Sequence, residues 1–268
     1  MLIKMNDYRE LILSELANEI GAEFVTKRRD EILNIPEMRK LLKEIEERGS
    51  SYNYKRLKEF KMLVKKVKMM KYYETRKFRT DEGLEVSILE RGQYLEQLIE
   101  RLTDTFKMIG GKVVLDIGSG TFPLYFSKEL PAGTVYIAID SRKEVIEELN
   151  KASTSHLKLI VIHSDACEID YKSLLSQFNI KRADITLMLR VLSVIARTKK
   201  IDPVEFIESI PTRTLVVSEP LRSLVRKESV ITRETKFLNS LARKLENRGI
   251  FAYHEIWTIG EEIFLFLF

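Results

Sequence analysis

The chain has 268 residues, of which 44% are hydrophobic and 32% charged, and its net charge is +5. It has no run of about 18 apolar residues and no apolar segment near its N-terminus, so we expect no membrane span, no secretory signal and a cytoplasmic location. Its single cysteine, Cys167, excludes an internal disulfide, and its three histidines do not stand at a ligand spacing, so we expect no metal site. We expect Cys167 to be a small buried apolar side chain.

The first hundred or so residues have the pattern of helices. Apolar residues recur at helical spacing, and glycine or proline stands at several of the boundaries. The predicted helices cover 5–20, 23–33, 36–48, 52–79 (as one helix or a pair) and, after a turn at 81–83, the stretch to about 108, with Gly92 as the place of any interruption.

The positive charge is concentrated in one segment. Residues 51–80 hold 11 Lys and Arg against 2 Asp and Glu, whereas 81–268 hold 25 against 27. Such a surface attracts phosphates, and tyrosines at 52, 54, 72 and 73 are suited to stack on unpaired bases. No recognition-helix motif stands out, so we expect folded RNA rather than duplex DNA. The candidate RNA-binding residues here are Lys55, Arg56, Lys58, Lys61, Lys65, Lys66, Lys68, Lys71, Arg76, Lys77 and Arg79.

The alternative for this segment is a solvated helix face, and the two interpretations are compatible. On that interpretation the apolar residues between the cations pack inward. These residues are Leu57, Met62, Leu63, Val67 and Met70.

After residue 111 short apolar runs alternate with helical segments, which predicts a parallel sheet with helices on both faces. A helix at about 228–248 is followed by two apolar runs joined at Gly260-Glu261, and two strands joined by a tight turn are antiparallel. We therefore predict an α/β, Rossmann-like fold of the class I methyltransferase type. It has a mostly parallel seven-stranded sheet with a C-terminal antiparallel hairpin, preceded by an all-α N-terminal domain. The first five candidate strands are 113–117, 134–139, 158–163, 184–190 and 213–218, and the domains are 1–80, linking helices 81–111, and 112–268.

The first of these strands runs into a glycine loop. Asp116, Gly118, Ser119 and Gly120 lie at and after its end, where ligands bind in an open α/β sheet. Glycine lets the backbone approach a cofactor without a Cβ clash. Pro123 replaces the third glycine of a dinucleotide fingerprint. We therefore favour S-adenosylmethionine (SAM) over NAD, because the amino-acid part of SAM carries no pyrophosphate.

Acidic residues also follow the second and third strands. Asp140, with Ser141, ends the second, where a carboxylate accepts ribose hydroxyls. Asp165-Ala166 follows the third, where an aspartate commonly meets the adenine amine. Each signal alone has an ordinary explanation as a turn or a helix N-cap. Three in order, each after its own strand, predict SAM binding.

Four stretches carry a resemblance to one family: Val114–Leu124, Arg190–Arg197, Val217–Leu224 and Thr258–Phe264. They resemble motifs of the 16S rRNA guanine-N7 methyltransferases of aminoglycoside resistance, the Arm/Rmt type. The last two are the more specific, because generic methyltransferases lack them. The resemblance covers about 84–268, and that family also places a basic helical domain before its SAM fold. The thermophile-like composition, rich in charge and poor in Gln, indicates a divergent homologue without a native role in drug resistance.

The resemblance implies a role in cofactor binding for Arg91. The family has His-Ala-Ser-Thr-x-Glu-Arg-Leu ahead of its core, and the arginine of that motif meets the SAM carboxylate. Here Ser87, Glu90 and Arg91 agree with it. Arg190, at the mouth of the fourth strand, is a candidate for contact with SAM or with phosphate.

The resemblance also implies that Arg222, after the fifth strand, helps bind the target RNA or its base. Independently of the resemblance, the carboxylate of Glu219 is a candidate to hydrogen-bond the guanine N1–H/N2 edge. Phe122 and Glu219 replace an Asn and a Phe of the family, which puts the identity of the target nucleotide in question. Guanine N7 carries an unprotonated lone pair, so we expect catalysis by positioning without a general base, after the guanine leaves its stack.

Two other functions remain open. One is a SAM-dependent methyltransferase acting on another RNA or on a small molecule, and in the small-molecule case the basic segment is dispensable. The other is a non-catalytic RNA-binding factor that retains the SAM fold. We expect a monomer whose partner is 16S rRNA or the small ribosomal subunit.

Overall fold

The computed structural model describes residues 5–48, 53–75, 86–152, 156–222 and 230–268. The chain divides into two compact units, Met1–Phe78 and Arg79–Phe268. The helices at 86–108, expected to link two domains, belong to the second unit. Within the described ranges, no helix is long and apolar enough to cross a membrane.

The described part of the first unit consists of helices joined by short connections. The predicted helix over 23–33 is divided at Arg28 into two short helices, and a 3₁₀ turn at Tyr54–Arg56 precedes the last helix. Ile12, Leu16 and Leu41 are fully buried in its core. The helices are α1 (Met5–Ile20), α2 (Ala22–Lys27), α3 (Arg29–Asn34), α4 (Pro36–Arg48) and α5 (Lys58–Thr75).

One residue predicted to pack inward does not. Leu63 and Val67 of α5 are fully buried, but Met62 is 43% exposed. The buried stripe of α5 follows Phe60, Leu63, Val64 and Val67. A residue one position before Leu63 is turned about 100° around the helix axis, away from this stripe.

The second unit is built on the predicted seven-stranded sheet, and the fold prediction is confirmed. The strand order is β3-β2-β1-β4-β5-β7-β6; the first five strands are parallel, and β7 is antiparallel to β5 and β6. The strands are β1 (Val113–Ile117), β2 (Val135–Asp140), β3 (Lys158–His163), β4 (Ala183–Leu189), β5 (Thr212–Pro220), β6 (His254–Ile259) and β7 (Glu262–Leu267).

Helices cover both faces of this sheet. Alternate residues of a strand point to opposite faces, so Leu115 and Ile117 of β1 belong to one core and Val114 to the other. The helices are α6 (Val86–Arg91), α7 (Leu95–Met108), α8 (Pro123–Phe126), α9 (Lys143–Lys151), α10 (Tyr171–Gln177), α11 (Leu192–Lys199), α12 (Pro203–Glu208) and α13 (Ile231–Asn247).

The strand register brings several chain segments to one edge of the sheet. Ile117 at the end of β1 pairs with Ile139 of β2, and Leu189 at the end of β4 pairs with Ser218 of β5. Glu262, the first residue of the antiparallel β7, pairs with Pro220 at the end of β5. The chain leaves β1 toward β2 and β4 toward β5, so β1 and β4 flank the switch point where α/β sheets bind ligands.

Candidate functional site

The loop after β1 adopts a conformation that requires glycine. Gly118 has φ 70° and Gly120 has φ 55°, both in the left-handed region. The amides of Gly118 and Ser119 donate to the Ile139 carbonyl oxygen at 2.8 and 3.0 Å. The Gly120 amide donates to Asp140 Oδ2 at 2.9 Å. The predicted loop and the predicted acid of β2 are therefore joined.

Gly118 also marks the switch point of the sheet. A Cβ built at Gly118 would lie 2.6 Å from Cγ2 of Val191, which follows β4. Contacts this short do not occur between real side chains, so only glycine lets these two loops approach. The segments after β1 and β4 thus meet at this point.

Asp140 is buried at the end of β2, and both of its carboxylate oxygens accept hydrogen bonds. Arg142 donates from its backbone amide and Nε to Oδ1, at 3.0 and 2.9 Å, and from Nη2 to Oδ2 at 2.9 Å. Burial alone raises the pKa of Asp140, but these bonds from Arg142 and the one from Gly120 lower it below its ordinary value. Asp140 is therefore held ionised, as an acceptor of hydroxyl groups must be. The carbonyl oxygen of the adjacent Ser141 lies 3.1 Å from His163 Nε2.

Asp165 begins the short 3₁₀ helix Ala166–Glu168. Its carboxylate accepts the Cys167 amide at 3.0 Å and pairs with Lys199 Nζ at 2.6 Å. Lys199 lowers the pKa of Asp165 through this bond. The expectation that Cys167 is buried was wrong. It is partly exposed, because it lies in this turn after β3, from which it packs against the core without being enclosed by it.

Asp116 lies on β1, where it accepts a hydrogen bond. The Tyr136 hydroxyl of β2 donates to its Oδ2 at 2.7 Å, and both side chains are buried. Burial and the Asp116 charge raise the pKa of Tyr136 well above its ordinary value. This bond holds the aspartate on the face of the sheet that is opposite to Leu115 and Ile117.

Arg91 forms a buried ion pair with Glu262. Its Nε donates to Oε2 at 2.9 Å and its Nη2 to Oε1 at 2.7 Å. The guanidinium carbon lies 5.8 Å from the ring centroid of Phe122, which follows the glycine loop. The arginine implied by the family resemblance is therefore next to the loop.

Arg190 contacts the same glutamate. Its backbone has φ 61°, and its Nε donates to Glu262 Oε2 at 2.9 Å. Its Nη2 donates to the Tyr94 hydroxyl at 2.8 Å, and its Nη1 pairs with Glu90. The structure thus places Arg190 beside Arg91, because both guanidinium groups bond Glu262. Arg190 also bonds Glu90.

Three residues without a predicted role complete this cluster, and they are Glu262, Tyr94 and Ser218. The Ser218 hydroxyl donates to Glu262 Oε1, and the Tyr94 hydroxyl lies 3.3 Å from Oε2. Burial alone raises the pKa of Glu262, but Arg91 and Arg190 together with Ser218 lower it to about 2. The sequence signal that could have identified Glu262 is an acidic residue directly before the apolar run Ile263–Leu267.

Glu219 is directed away from the position expected of a base-binding group. It is only 1% exposed, and its carboxylate accepts the Ser193 amide at 3.0 Å and the Ser193 hydroxyl at 2.7 Å. Burial raises the pKa of Glu219 to about 7, with Glu234 adding to the rise and the bonds from Ser193 opposing it. The carboxylate therefore holds the first turn of α11. It is not exposed to bond the edge of a guanine, as the sequence-based hypothesis expected.

Arg222 is a surface residue. Its side chain is 66% exposed, and its Nε lies 3.1 Å from Glu261 Oε1. A pair this exposed contributes about 0–1 kcal/mol, so it leaves Arg222 able to exchange Glu261 for another anion.

The basic segment is only partly described. Lys55 and Lys68 pair with Glu15 and Glu19 of α1, at 2.6 and 2.9 Å. Tyr54 is half-buried and packs edge-on against aromatic rings of its own unit, so it is not placed to stack on bases. Arg56, Lys58, Lys61 and Lys65 are exposed and Lys66 is half-buried; Lys71 is known only by its place in α5, and Tyr52, Arg76, Lys77 and Arg79 lie outside the described residues, as do the side chains of Tyr72 and Tyr73.

Comparison with known proteins identifies one sequence family. The family model described as "Ribosomal RNA methyltransferase (FmrO)" matches residues 82–263. A 16S rRNA (guanine(1405)-N(7))-methyltransferase of Frankia casuarinae is 33% identical over 113 residues, which are 42% of this chain. The match spans 38% of that relative's length, so most of the relative lies outside the matched region.

Solved structures show the same fold. The 16S rRNA methyltransferase RmtF, in complex with S-adenosyl-L-homocysteine, superposes with a TM-score of 0.55 at 16% identity, over 90% of this chain and 97% of the other. The 16S rRNA methylase RmtB gives 0.53 at 16% identity, over 95% and 97%. At this identity the likeness extends to the fold alone.

Proposed function

Because the chain belongs to the FmrO family of ribosomal RNA methyltransferases, we propose that it transfers the methyl group of SAM to a guanine N7 of 16S rRNA in the cytoplasm. Membership confirms the resemblance drawn from the four sequence motifs. The observation that carries the proposal is the family match over 82–263. This match includes all described residues of the second unit, Arg79–Phe268, here called the sheet unit, up to the start of β7. The N7 position and the small-subunit substrate rest on the name of the Frankia relative.

The residues at the sheet edge fit SAM. Gly118 and Gly120 leave two positions of the loop after β1 without a Cβ, and Asp140 provides an ionised acceptor at the end of β2. Arg91, beside Phe122, provides a cation for the amino-acid carboxylate. Asp165 lies after β3, where we propose that it meets the adenine. When bound, SAM supplies an electrophilic methyl group on its sulfonium sulfur.

We propose that the protein contributes positioning and no acid or base. Guanine N7 carries no proton, so no side chain has to remove one. Arg222 is exposed at the end of β5 and exchanges Glu261 for the phosphate or the base of the target. Glu219 acts through Ser193, by fixing the start of α11 beside the switch point. Arg190 acts within the Glu262 cluster.

The exposed cations of the first unit are proposed to hold the RNA. Arg56, Lys58, Lys61 and Lys65 are exposed along the 3₁₀ turn and α5, and the sheet unit has no comparable excess of positive charge in its sequence. Phosphate contacts of this kind supply affinity without sequence recognition. Selection of one guanine then falls to the sheet unit.

Transfer of a labelled methyl group tests the proposal. The protein is incubated with tritiated-methyl SAM and with small ribosomal subunits, naked 16S rRNA, bulk tRNA or no RNA. We expect label in 16S rRNA from at least one of the two ribosomal substrates. Label confined to tRNA would instead indicate another RNA, and SAM binding without any labelled RNA would favour a small-molecule substrate or a non-catalytic role.

A further inference from the structure

Three ionisable side chains contact Glu262 in the second unit, and they are Arg91, Arg190 and Tyr94. Arg91 bonds both oxygens of this carboxylate, Arg190 bonds one of them and pairs with Glu90, and the hydroxyls of Tyr94 and Ser218 complete the shell. Glu262 is 0% exposed. The members come from α6, from the turn after it, from the end of β4, and from β5 and β7, so distant parts of the unit converge on one carboxylate.

A buried carboxylate is an energetically unfavourable way to hold these elements together, compared with apolar packing. Desolvation of an ion costs several kcal/mol, and well-packed apolar residues often replace a buried ion pair without loss of stability. The remainder of β7, Ile263–Leu267, is apolar and buried, so a hydrophobic residue at 262 would continue the strand pattern. The charged group at this position therefore calls for a reason beyond packing.

The location of the cluster suggests that reason. Arg190 directly follows β4 at the switch point, and Val191 beside it contacts the glycine loop. Arg91 lies next to Phe122, which follows that loop in the chain. Glu262 uses the Nε and Nη2 edge of Arg91, while the Nη1 end of this guanidinium bonds no other described residue. A guanidinium fixed along one edge is preorganised to bind a second carboxylate at its other end.

We propose that Glu262 is a positioning residue for the amino-acid carboxylate of the cofactor, which it serves by fixing Arg91 and Arg190 side by side at the glycine loop. This inference rests on the proposed use of SAM. It assigns Glu262 no contact with substrate or cofactor. Its effect is to orient two cations that would otherwise repel each other and move apart.

A pair of ligands separates this role from a purely structural one. S-adenosylhomocysteine carries the amino-acid end, whereas 5′-methylthioadenosine shares its nucleoside and thioether but lacks that end. If Glu262 positions the carboxylate site, its loss weakens binding of the first ligand only. If Glu262 merely holds the fold together, both ligands are affected alike or neither is.

Titration calorimetry on the full chain measures both ligands with Glu262→Gln and with the matched control Glu261→Gln, a change at the adjacent exposed residue. We expect Glu262→Gln to weaken S-adenosylhomocysteine binding about tenfold or more, the value of one hydrogen bond to a charged group, and to leave 5′-methylthioadenosine binding as in wild type. Glu261→Gln should change neither. Equal loss of both ligands, or unchanged binding of both, would overturn the inference.

Two further results have defined meanings. If Glu262→Gln does not fold, Tyr94→Phe takes its place, since it removes one hydroxyl bonded to Arg190 and to Glu262 and keeps the ring that packs against Gly260. The same selective loss is expected, and its absence counts against the inference. If wild type binds no S-adenosylhomocysteine, the proposed function fails as well, whereas normal binding by both wild type and Glu262→Gln overturns this inference alone.

Discussion

Arg91 and Glu262 stand 171 residues apart in the chain and form a two-point ion pair from which water is excluded. The pair ties the end of α6 to the first residue of β7. Because Arg190 shares the same carboxylate, loss of Glu262 would leave two guanidinium groups buried or half-buried with only Glu90 to balance them.

This arrangement predicts a large cost for truncation. Glu262→Ala should lower the free energy of unfolding by about 3–5 kcal/mol, the cost of leaving buried charges without their partner. Glu261→Ala at the next position should change it by less than about 0.5 kcal/mol, as exposed substitutions usually do. Urea denaturation followed by tryptophan fluorescence of Trp257 on β6 measures both. Similar stabilities for the two variants would show that the cluster has little energetic weight.

Glu219 predicts a pH dependence of stability. Its pKa is raised from an ordinary 4.5 to about 7 in the folded protein, so the folded state binds this proton more tightly than the unfolded state does. The stabilisation from protonation is complete below about pH 4.5 and is lost as pH rises through about 7.

Glu219→Gln removes this titration and retains an acceptor and a donor for Ser193. When the pH is raised from 5 to 8, wild type should lose stability that the variant keeps. The difference in free energy of unfolding between the two proteins should change by as much as roughly 3 kcal/mol, at about 1.4 kcal/mol per pKa unit. Thermal unfolding of both proteins at these two pH values provides the measurement. Parallel pH profiles would mean that Glu219 is ionised throughout this range.

Gly118 provides a test of the glycine loop. Gly118→Ala should weaken S-adenosylhomocysteine binding more than about tenfold, because a left-handed alanine costs about 1–2 kcal/mol and its Cβ displaces Val191 and with it the loop. Gly133→Ala is the matched control: it also has positive φ, 82°, but no heavy atom lies within 4 Å of the added Cβ.

The second substitution Val191→Ala should partly restore binding to Gly118→Ala, since it removes the atoms that the new Cβ meets. Calorimetry on the single and double variants shows whether it does. Equal binding by Gly118→Ala and Gly133→Ala would mean that the contact with Val191 has no part in forming the site.

The cations of α5 predict a salt-dependent interaction with RNA. Lys61→Ala/Lys65→Ala should weaken binding to 16S rRNA and reduce the slope of log affinity against log salt by about 0.7 for each phosphate that the variant no longer binds. Arg39→Ala/Lys40→Ala, an exposed pair on α4 of the same unit, is the control. Filter binding at several salt concentrations compares them, and an equal effect of the two double variants would contradict a specific surface on α5.

Much of the fold could be predicted from local sequence pattern, because the strands and helices bury faces that their apolar residues identify. Val113–Ile117 and Lys158–His163 were predicted to the residue. The division of 23–33 at Arg28 was not, since apolar spacing continues across it. Met62 was misplaced because its hydrophobicity gives no information about the direction in which it points.

The site was predictable where chemistry depends on position along a strand, and not where it depends on tertiary pairing. Gly118 follows β1 and Asp140 ends β2, and both were predicted for the candidate site from that placement. The partners of Arg91 and Glu219 lie in segments distant in sequence, so the Glu262 cluster and the bond to Ser193 required the structure. The basic segment was identified from composition, but the pairing of Lys55 and Lys68 with α1 was not.

The most direct test of the central claim is the position of the methyl group in the RNA. Small-subunit RNA treated with the protein and SAM is reduced with borohydride and cleaved with aniline, which breaks the strand at N7-methylguanine, and the break is mapped by primer extension. We predict one new break at a single guanine of 16S rRNA, absent when SAM is omitted and, at a limiting SAM concentration, weaker with Gly118→Ala than with wild type. Methyl incorporation into 16S rRNA without strand scission would contradict N7 transfer, and the absence of incorporation into 16S rRNA would contradict the proposed substrate.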